Sequence, residues 1–352
     1  MTKAENLMDA RHDFFIQWHL TERCNLRCSH CYQVEADRNE LSFKEIQNVL
    51  GEVQETLREW AKMYDIIFSP SFNITGGEPF LRSDLLQTIE EIRKKEIDIY
   101  ILSNGTLIDK IKADAISRLG VKGVQVSIEG PENIHDRIRG NGSFTMAMEG
   151  VEHLLDSGIK VTLNVTLSDL NADYVRKLVS LADAAGVQRL GFSRLVPCGR
   201  GRQLFQSMME TRKVKEIYQE LLSLHVEGLE IVTGDPVASQ MDMKTNADMG
   251  YTACSGCAAG ISGLTLRPDG TINPCRRLDI PIGNIKSDSL REVWATSEVL
   301  NSLRDKSKYR GKCGRCSRWA VCRGCRAIAY AYSLSKGKAD YLAEDPQCFI
   351  EE

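Results

Sequence analysis

The sequence is notable first for what it lacks. Its 352 residues carry 45 Lys+Arg against 48 Asp+Glu, a formal charge of −3. A balance this close to neutral excludes a globally basic nucleic-acid binder and a polyacidic disordered tail. No apolar run approaches the ~20 residues that span a bilayer. Met1 to Asp13 are polar and charged, without the apolar stretch of a secretory signal, so a cytoplasmic protein without membrane association is expected. Cysteine is also sparse. Twelve residues, about 3% of the chain, fall well short of the ~8–10% of a disulfide scaffold. What remains is an ordinary globular composition, 42% hydrophobic and 26% charged, long enough for roughly two domains.

The twelve cysteines are unevenly placed. Cys24, Cys28 and Cys31 stand together, Cys198 is alone, and eight fall between Cys254 and Cys348. In a reducing cytosol short C-x-x-C spacings point to metal or redox chemistry rather than to disulfides. The clustering predicts at least two separate metal regions.

Between residues 14 and 232 short apolar runs alternate with amphipathic stretches. Strands are expected at Phe14–Leu20, Ser71–Thr75, Ile97–Leu102, Gly123–Ile128, Lys160–Thr166 and Arg189–Leu195. Helices fit at Ser42–Tyr64, Ser83–Lys95, Ile108–Leu119, Ser143–Asp156, Asn171–Ala185 and Glu210–His225, the first opened by a Ser42/Glu45 capping box. Six βα units imply an α/β fold with a parallel sheet, two short of a closed barrel, so a partial (β/α)6 barrel is favoured. Cys24, Gly76-Gly77-Glu78-Pro79, Ser103-Asn104-Gly105 and Glu129-Gly130 each follow a strand, where barrel sites are assembled. Beyond about residue 250 the rhythm gives way to short strands (Leu264–Arg267, Thr271–Asn273), turns and cysteines. A tail (1–13), a barrel (14–232) and a small metal-stapled domain (233–352) are the expected units.

Cys24-x3-Cys28-x2-Cys31 places three thiolates in eight residues of loop. A tetrahedral zinc site would need His30 as its fourth ligand, awkwardly adjacent to Cys31. A [4Fe–4S] cluster on three cysteines keeps one iron open for a non-protein ligand. The spacing, with Gly76-Gly77-Glu78-Pro79 downstream, resembles the CxxxCxxC and GGEP motifs of the radical S-adenosylmethionine (SAM) superfamily. That resemblance implies that SAM chelates the open iron through its amino and carboxylate groups. One electron then cleaves it to methionine and a 5′-deoxyadenosyl radical that abstracts a substrate hydrogen. It also implies that Gly76, Gly77 and Glu78 meet the SAM ammonium and that His30 packs near adenine. Adjacent glycines suit close approach of backbone to such a ligand. Ser103, Asn104, Ser127 and Asn164, at later strand ends, are candidates for ribose or methionyl groups, with turn or cap chemistry as the alternative. Arg139, in a segment resembling the loop after the fourth strand, is a candidate partner for a carboxylate of SAM or substrate. Glu129 replaces the Asp often found in the family's S-x-D-G pattern.

The remaining eight cysteines equal two sites of four thiolates each, which zinc ribbons would also satisfy. Cys257, Gly270, Cys275, then Cys313-x2-Cys316-x5-Cys322-x2-Cys325 and a distant Cys348, resemble a SPASM domain with two auxiliary [4Fe–4S] clusters. The resemblance assigns Cys254, Cys257, Cys275 and Cys325 to the inner cluster and Cys313, Cys316, Cys322 and Cys348 to the outer. The family spaces its third and fourth clustered cysteines by three residues rather than two. Nine Lys/Arg and one acid from Arg304 to Arg326 suit offsetting thiolate charge, tuning potential or docking an acidic electron donor; with only Tyr309 and Trp319 as aromatics, nucleic acid is not expected. Cys198 is left over, facing substrate or buried as an inert thiol.

The resemblance implies a peptide-modifying maturase, served by a low-potential donor such as ferredoxin or flavodoxin. In its sulfatase-maturing branch an Asp follows the cysteine equivalent to Cys275; here Arg276 stands there and weighs against that activity. Only 23 residues precede Cys24, too few for a leader-binding domain, so a separate leader-binding protein is a possible partner. The alternative is modification of an acidic tetrapyrrole, with Arg139, Arg194, Arg200 and Arg202 as carboxylate partners. A non-enzymatic zinc-ribbon scaffold leaves the three-cysteine and glycine loops unexplained.

Overall fold

In the computed structural model, residues 11–33, 39–241 and 256–350 are described. Seven parallel strands follow one another across a sheet: β1 (Arg11–Thr21), β2 (Ile67–Gly76), β3 (Asp98–Ser103), β4 (Gly123–Ser127), β5 (Val161–Leu167), β6 (Arg189–Arg194) and β7 (Glu230–Thr233). The crossovers carry α1 (Phe43–Tyr64), α2 (Leu85–Arg93), α3 (Lys110–Arg118), α4 (Glu132–Arg139), α5 (Ser143–Asp156), α6 (Val175–Ala184) and α7 (Thr211–Ser223). The six expected units are present, and β7 adds a strand beyond them. The sheet is the open, partial-barrel arrangement. At its other edge β8 (Gly263–Leu266) pairs parallel to β1, followed by antiparallel β9 (Thr271–Asn273) and β10 (Gly283–Asn284). The cysteine-rich region therefore adds strands to the barrel sheet.

Period-two patterning sets the two faces of this sheet. On β4, Val124 and Val126 are buried in the core under the helices, while Gln125 and Ser127 line an interior cavity. On β5, Val161, Leu163, Val165 and Leu167 are buried, and Asn164 and Thr166 line that cavity. The alternation thus builds a helix-covered core and a polar barrel interior in one stroke.

Local signals explain most element ends. The Ser42/Glu45 capping box forms: the Ser42 hydroxyl accepts from Glu45 N–H, and the Glu45 carboxylate accepts from Ser42 N–H at 2.8 Å. Within the barrel one helix was missed. Residues expected to form a loop after β4 are α4, with Ile134 and Ile138 buried one turn apart and Glu132 in the first turn. The expected helix Asn171–Ala185 begins with a 3-10 turn, Ala172–Tyr174, before α6.

The C-terminal region adds α8 (Leu290–Thr296), α9 (Glu298–Arg304), α10 (Gly311–Arg315) and α11 (Arg326–Ser335). It docks on the barrel through an aromatic cluster: Trp294 of α8 lies 5.2 Å from Phe14 of β1 and 5.7 Å from Trp60 of α1. No helix among the described residues is long and apolar enough to cross a membrane.

Candidate active site and cluster cavities

Cys24, Cys28 and Cys31 line one cavity at the C-terminal ends of the strands, with an empty volume of about 870 Å³ including its mouth. His30, Gly76, Gly77, Ser103, Asn104, Ser127, Arg139 and Asn164 line it too. Of the residues expected to contact SAM, only Glu78 stays behind the wall. It is fully buried, its carboxylate accepting from Ser103 Oγ at 2.9 Å, Asn104 N–H at 2.9 Å and Phe80 N–H at 3.2 Å. Burial pushes its pKa up to about 7, against the pull of these donors. Glu78 thus ties the glycine loop to the end of β3 instead of facing the cavity.

The two glycines have a reason other than the expected approach to a ligand. Gly77 N–H donates to the Thr21 carbonyl at 2.9 Å and Glu78 N–H to the Arg23 carbonyl at 2.8 Å. A Cβ at Gly76, whose φ is +144°, would sit 2.0 Å from Thr21 O, and one at Gly77 2.1 Å from Arg23 O. The glycine loop is laid directly against the backbone leading into Cys24, which only residues without side chains permit.

Arg139 is also placed differently from expectation. Its guanidinium forks onto Glu129 Oε1 at 2.5 and 3.0 Å, and His30 Nε2 lies 3.1 Å from the same oxygen. The other Glu129 oxygen accepts from Thr166 N–H at 2.8 Å, and Asn171 Nδ2 donates to the Glu129 carbonyl. Burial opposes ionisation of Glu129, but Arg139 and His30 overcome it and hold the carboxyl well below the usual range. Arg139 is therefore satisfied within the protein. Its Nη1 lies 3.8 Å from Cys28 Sγ. Glu129, whose role the sequence left uncertain, is the hub joining His30, α4 and β5.

The donor set fits a thiolate-ligated cluster. Cys24 Sγ accepts from Leu26 N–H at 3.4 Å and from Asn104 Nδ2 at 3.8 Å, and Arg139 faces Cys28, giving the hydrogen bonds and positive charge that stabilise ligated sulfur. Without metal, burial pushes the Cys24 thiol up to about 11. His30 Nδ1 is buried without a hydrogen-bond partner among the described residues, on the cavity wall where an adenine is expected.

The later cysteines fall into two further cavities. Cys257, Cys275 and Cys325 line one; Cys254 lies outside the described residues. Cys313, Cys316, Cys322 and Cys348 line the other. Polar groups reach the sulfurs of the second set: Gln240 Nε2 donates to Cys322 Sγ at 3.0 Å and Arg326 Nη2 to Cys313 Sγ at 3.5 Å. Between the two cavities Arg194 is fully buried, pinned by Asp235 at 2.7 Å and Asp345 at 2.8 Å, while Asp345 also accepts from Cys325 N–H. Arg194 is thus a structural tie, unavailable as the substrate partner expected of it.

A second open cleft adjoins the first cavity. Tyr32, Gln33, Arg276 and Arg277 border both, and Arg202, Cys198 and Phe205 complete much of its far wall. Burial pushes the Cys198 thiol up to about 12, keeping it neutral on that wall. Gln33, Thr75, Gln125 and Arg277 were not singled out in the sequence; for the strand residues, the polar half of the alternation was the available signal.

Comparison with known proteins agrees with this layout. Residues 18–182 match the family described as the Radical SAM superfamily, and residues 254–326 match the SPASM iron–sulfur cluster-binding domain. The AdoMet-dependent heme synthase of Oleidesulfovibrio alaskensis is 29% identical over 350 residues, covering 95% of this chain and 86% of the relative. Mycofactocin maturase MftC of Mycolicibacterium smegmatis is 27% identical over 343 residues, covering 95% and 82%. Among solved structures, Streptococcus suis SuiB bound to its precursor peptide SuiA superposes with a TM-score of 0.74 at 17% identity, covering 99% of this chain and 78% of that one.

Proposed function

For a chain that belongs to the radical SAM superfamily and carries a SPASM domain, we propose that the enzyme modifies or crosslinks a ribosomally made peptide by hydrogen-atom abstraction. Its cofactors are SAM and [4Fe–4S] clusters. When bound, the cluster that Cys24, Cys28 and Cys31 would hold supplies the one-electron cleavage of SAM that yields a hydrogen-abstracting deoxyadenosyl group. The chain's own residues do the positioning. Gly76 and Gly77 fix the cysteine loop against β2, Glu78 braces that loop from behind, and the Glu129–Arg139–His30 network holds His30 at the wall. Ser103, Asn104, Ser127 and Asn164 present hydrogen-bonding groups to the cavity. Cys254, Cys257, Cys275 and Cys325 would hold one auxiliary cluster, and Cys313, Cys316, Cys322 and Cys348 the other. Full ligation suits them to electron transfer, with a low-potential ferredoxin or flavodoxin as donor and a separate leader-binding protein as a possible partner.

The observation that carries the peptide reading is the wall of the second cleft. Glu22, Asp279 and several arginines give it charges of both signs, set among the apolar surfaces of Phe205, Tyr330 and Leu334. An extended chain of mixed side chains meets such a wall residue by residue. The tetrapyrrole reading stays second, favoured by the heme synthase relative.

The test is a search of the neighbouring genes for a short Cys-, Gly- or aromatic-rich peptide, followed by anaerobic incubation of that peptide with the enzyme, SAM and dithionite. Peptide-stimulated 5′-deoxyadenosine release with a mass change in the peptide is expected. Consumption of a porphyrin, with the peptide left intact, would replace this reading with the second.

A further inference from the structure

We infer that Arg276 and Arg277 form a carboxylate-binding pair that seats an acidic side chain, or the C-terminal carboxylate, of the substrate. The inference rests on the peptide reading for the substrate's class. The pair follows Cys275 directly, in a turn closed by the Leu278 N–H to Cys275 carbonyl bond at 3.0 Å. Both arginines border three spaces at once: the three-thiol cavity, the second cleft, and the cavity of Cys257, Cys275 and Cys325. Among the described residues, no other charged side chain lines all three.

The charge balance around them is lopsided. Arg139 is matched by Glu129, Arg194 by Asp235 and Asp345, and Arg267 by Glu22 and Asp279 at 3.8 and 3.5 Å. Those acids of the neighbourhood are each taken. Arg276 is half-buried with its guanidinium 5.7 Å from the centre of the Tyr32 ring, and Arg277 donates to Ser193 Oγ at 3.3 Å. Neither has a carboxylate within ion-pair distance among the described residues. Gln33 supplies an independent sign of a missing ligand: it is buried, borders the same junction, and its Nε2 has no partner among the described residues. Two adjacent cations and a free amide donor, partly out of water, are a set that an incoming carboxylate satisfies. Because Tyr32 follows Cys31, a carboxylate held there fixes the neighbouring substrate residue beside the three-thiol cavity.

The test uses anaerobically reconstituted holoenzyme and three probes: fluorescein-labelled hexaglutamate, its C-terminally amidated hexaglutamine counterpart, and coproporphyrin III as a non-peptide tetracarboxylate. Anisotropy should show hexaglutamate binding at least about tenfold more tightly than hexaglutamine, and the double variant Arg276→Met/Arg277→Met should lose that preference at unchanged iron content. Arg276→Lys should keep part of it, which guards against misfolding of the double variant. Equal and measurable binding of the two peptides by the wild type, or a preference that survives in the double variant, overturns the inference. So does a shifted auxiliary-cluster potential with the preference intact, which assigns the pair to the cluster. If only coproporphyrin III binds, and the double variant abolishes it, the carboxylate pair stands and the peptide reading falls.

Discussion

Around Cys24, Cys28 and Cys31 the backbone is held by the sheet: β1 delivers the loop, and the glycine loop after β2 bonds directly to Thr21 and Arg23. Around Cys313 to Cys325 the longest regular element is the five-residue α10, and arginines do the work of a ladder. Arg304 donates to the Gly260 and Trp294 carbonyls, Arg318 to Gln240, Arg323 to Cys257 and Ala320, and Arg326 to Tyr341 and Ala343. Four of the nine basic residues from Arg304 to Arg326 are thus turned inward, supplying donors to loop carbonyls that no strand satisfies, while Lys308, Arg310 and Arg315 stay exposed. The first cavity is formed by the fold; the outer one depends on guanidinium groups and, when loaded, on metal.

The largest effects should come from removing one thiol on each side. Cys24→Ala is expected to abolish SAM cleavage and to lose about four of about twelve irons, with the protease-resistant barrel intact. Cys316→Ala should lose a similar amount of iron yet open the chain between about residues 306 and 326 to limited proteolysis. Identical cleavage patterns in the two variants would erase the contrast.

Arg194 is where the two regions meet, so its removal should rank next. Arg194→Met leaves Asp235 and Asp345 buried without their cation, a change that costs on the order of 3–5 kcal/mol. Denaturant unfolding of the anaerobic holoenzyme should show that loss. A change below about 1 kcal/mol would mean that the link is not under load. A smaller effect is expected of Gly77→Ala, whose Cβ would meet Arg23 O at 2.1 Å. Displacing that backbone should cost about 1–3 kcal/mol and weaken SAM binding in equilibrium dialysis, while iron at the C-terminal cysteines stays unchanged.

The same contrast governs how much could be read in advance. The barrel was legible because alternation and helical spacing are local: Val124 and Val126 against Gln125 and Ser127 state their faces outright. The motif residues were legible for their type, and of those expected to meet SAM all but Glu78 line the cavity. What escaped were pairings across the chain. Nothing near Arg194 announces Asp345, 151 residues away, and nothing near Glu78 announces that Ser103 and Asn104 will claim its carboxylate. The helix α4 is a different case. Its Ile134/Ile138 spacing was present, but the surrounding His135-Asp136-Arg137 and Arg139-Gly140 read as loop.

The mildest change tests whether strain on the barrel's own scaffold reaches the cysteine-rich region. Ser42→Ala removes half of the α1 capping box, an expected loss of about 1 kcal/mol. Helix α1 is also the helix on which the C-terminal region docks, through Trp60 against Trp294 and the Leu290 N–H that donates to Glu52 at 2.8 Å. These contacts lie about three to five turns along the helix from the cap, and fraying is confined to the first turn. Thermal unfolding should therefore move by a few degrees or less for a chain of this size, with full iron content and unchanged protease resistance beyond residue 256. Loss of iron from the C-terminal cysteines in this variant would show that their cavities lean on the barrel more heavily than their own arginine contacts imply.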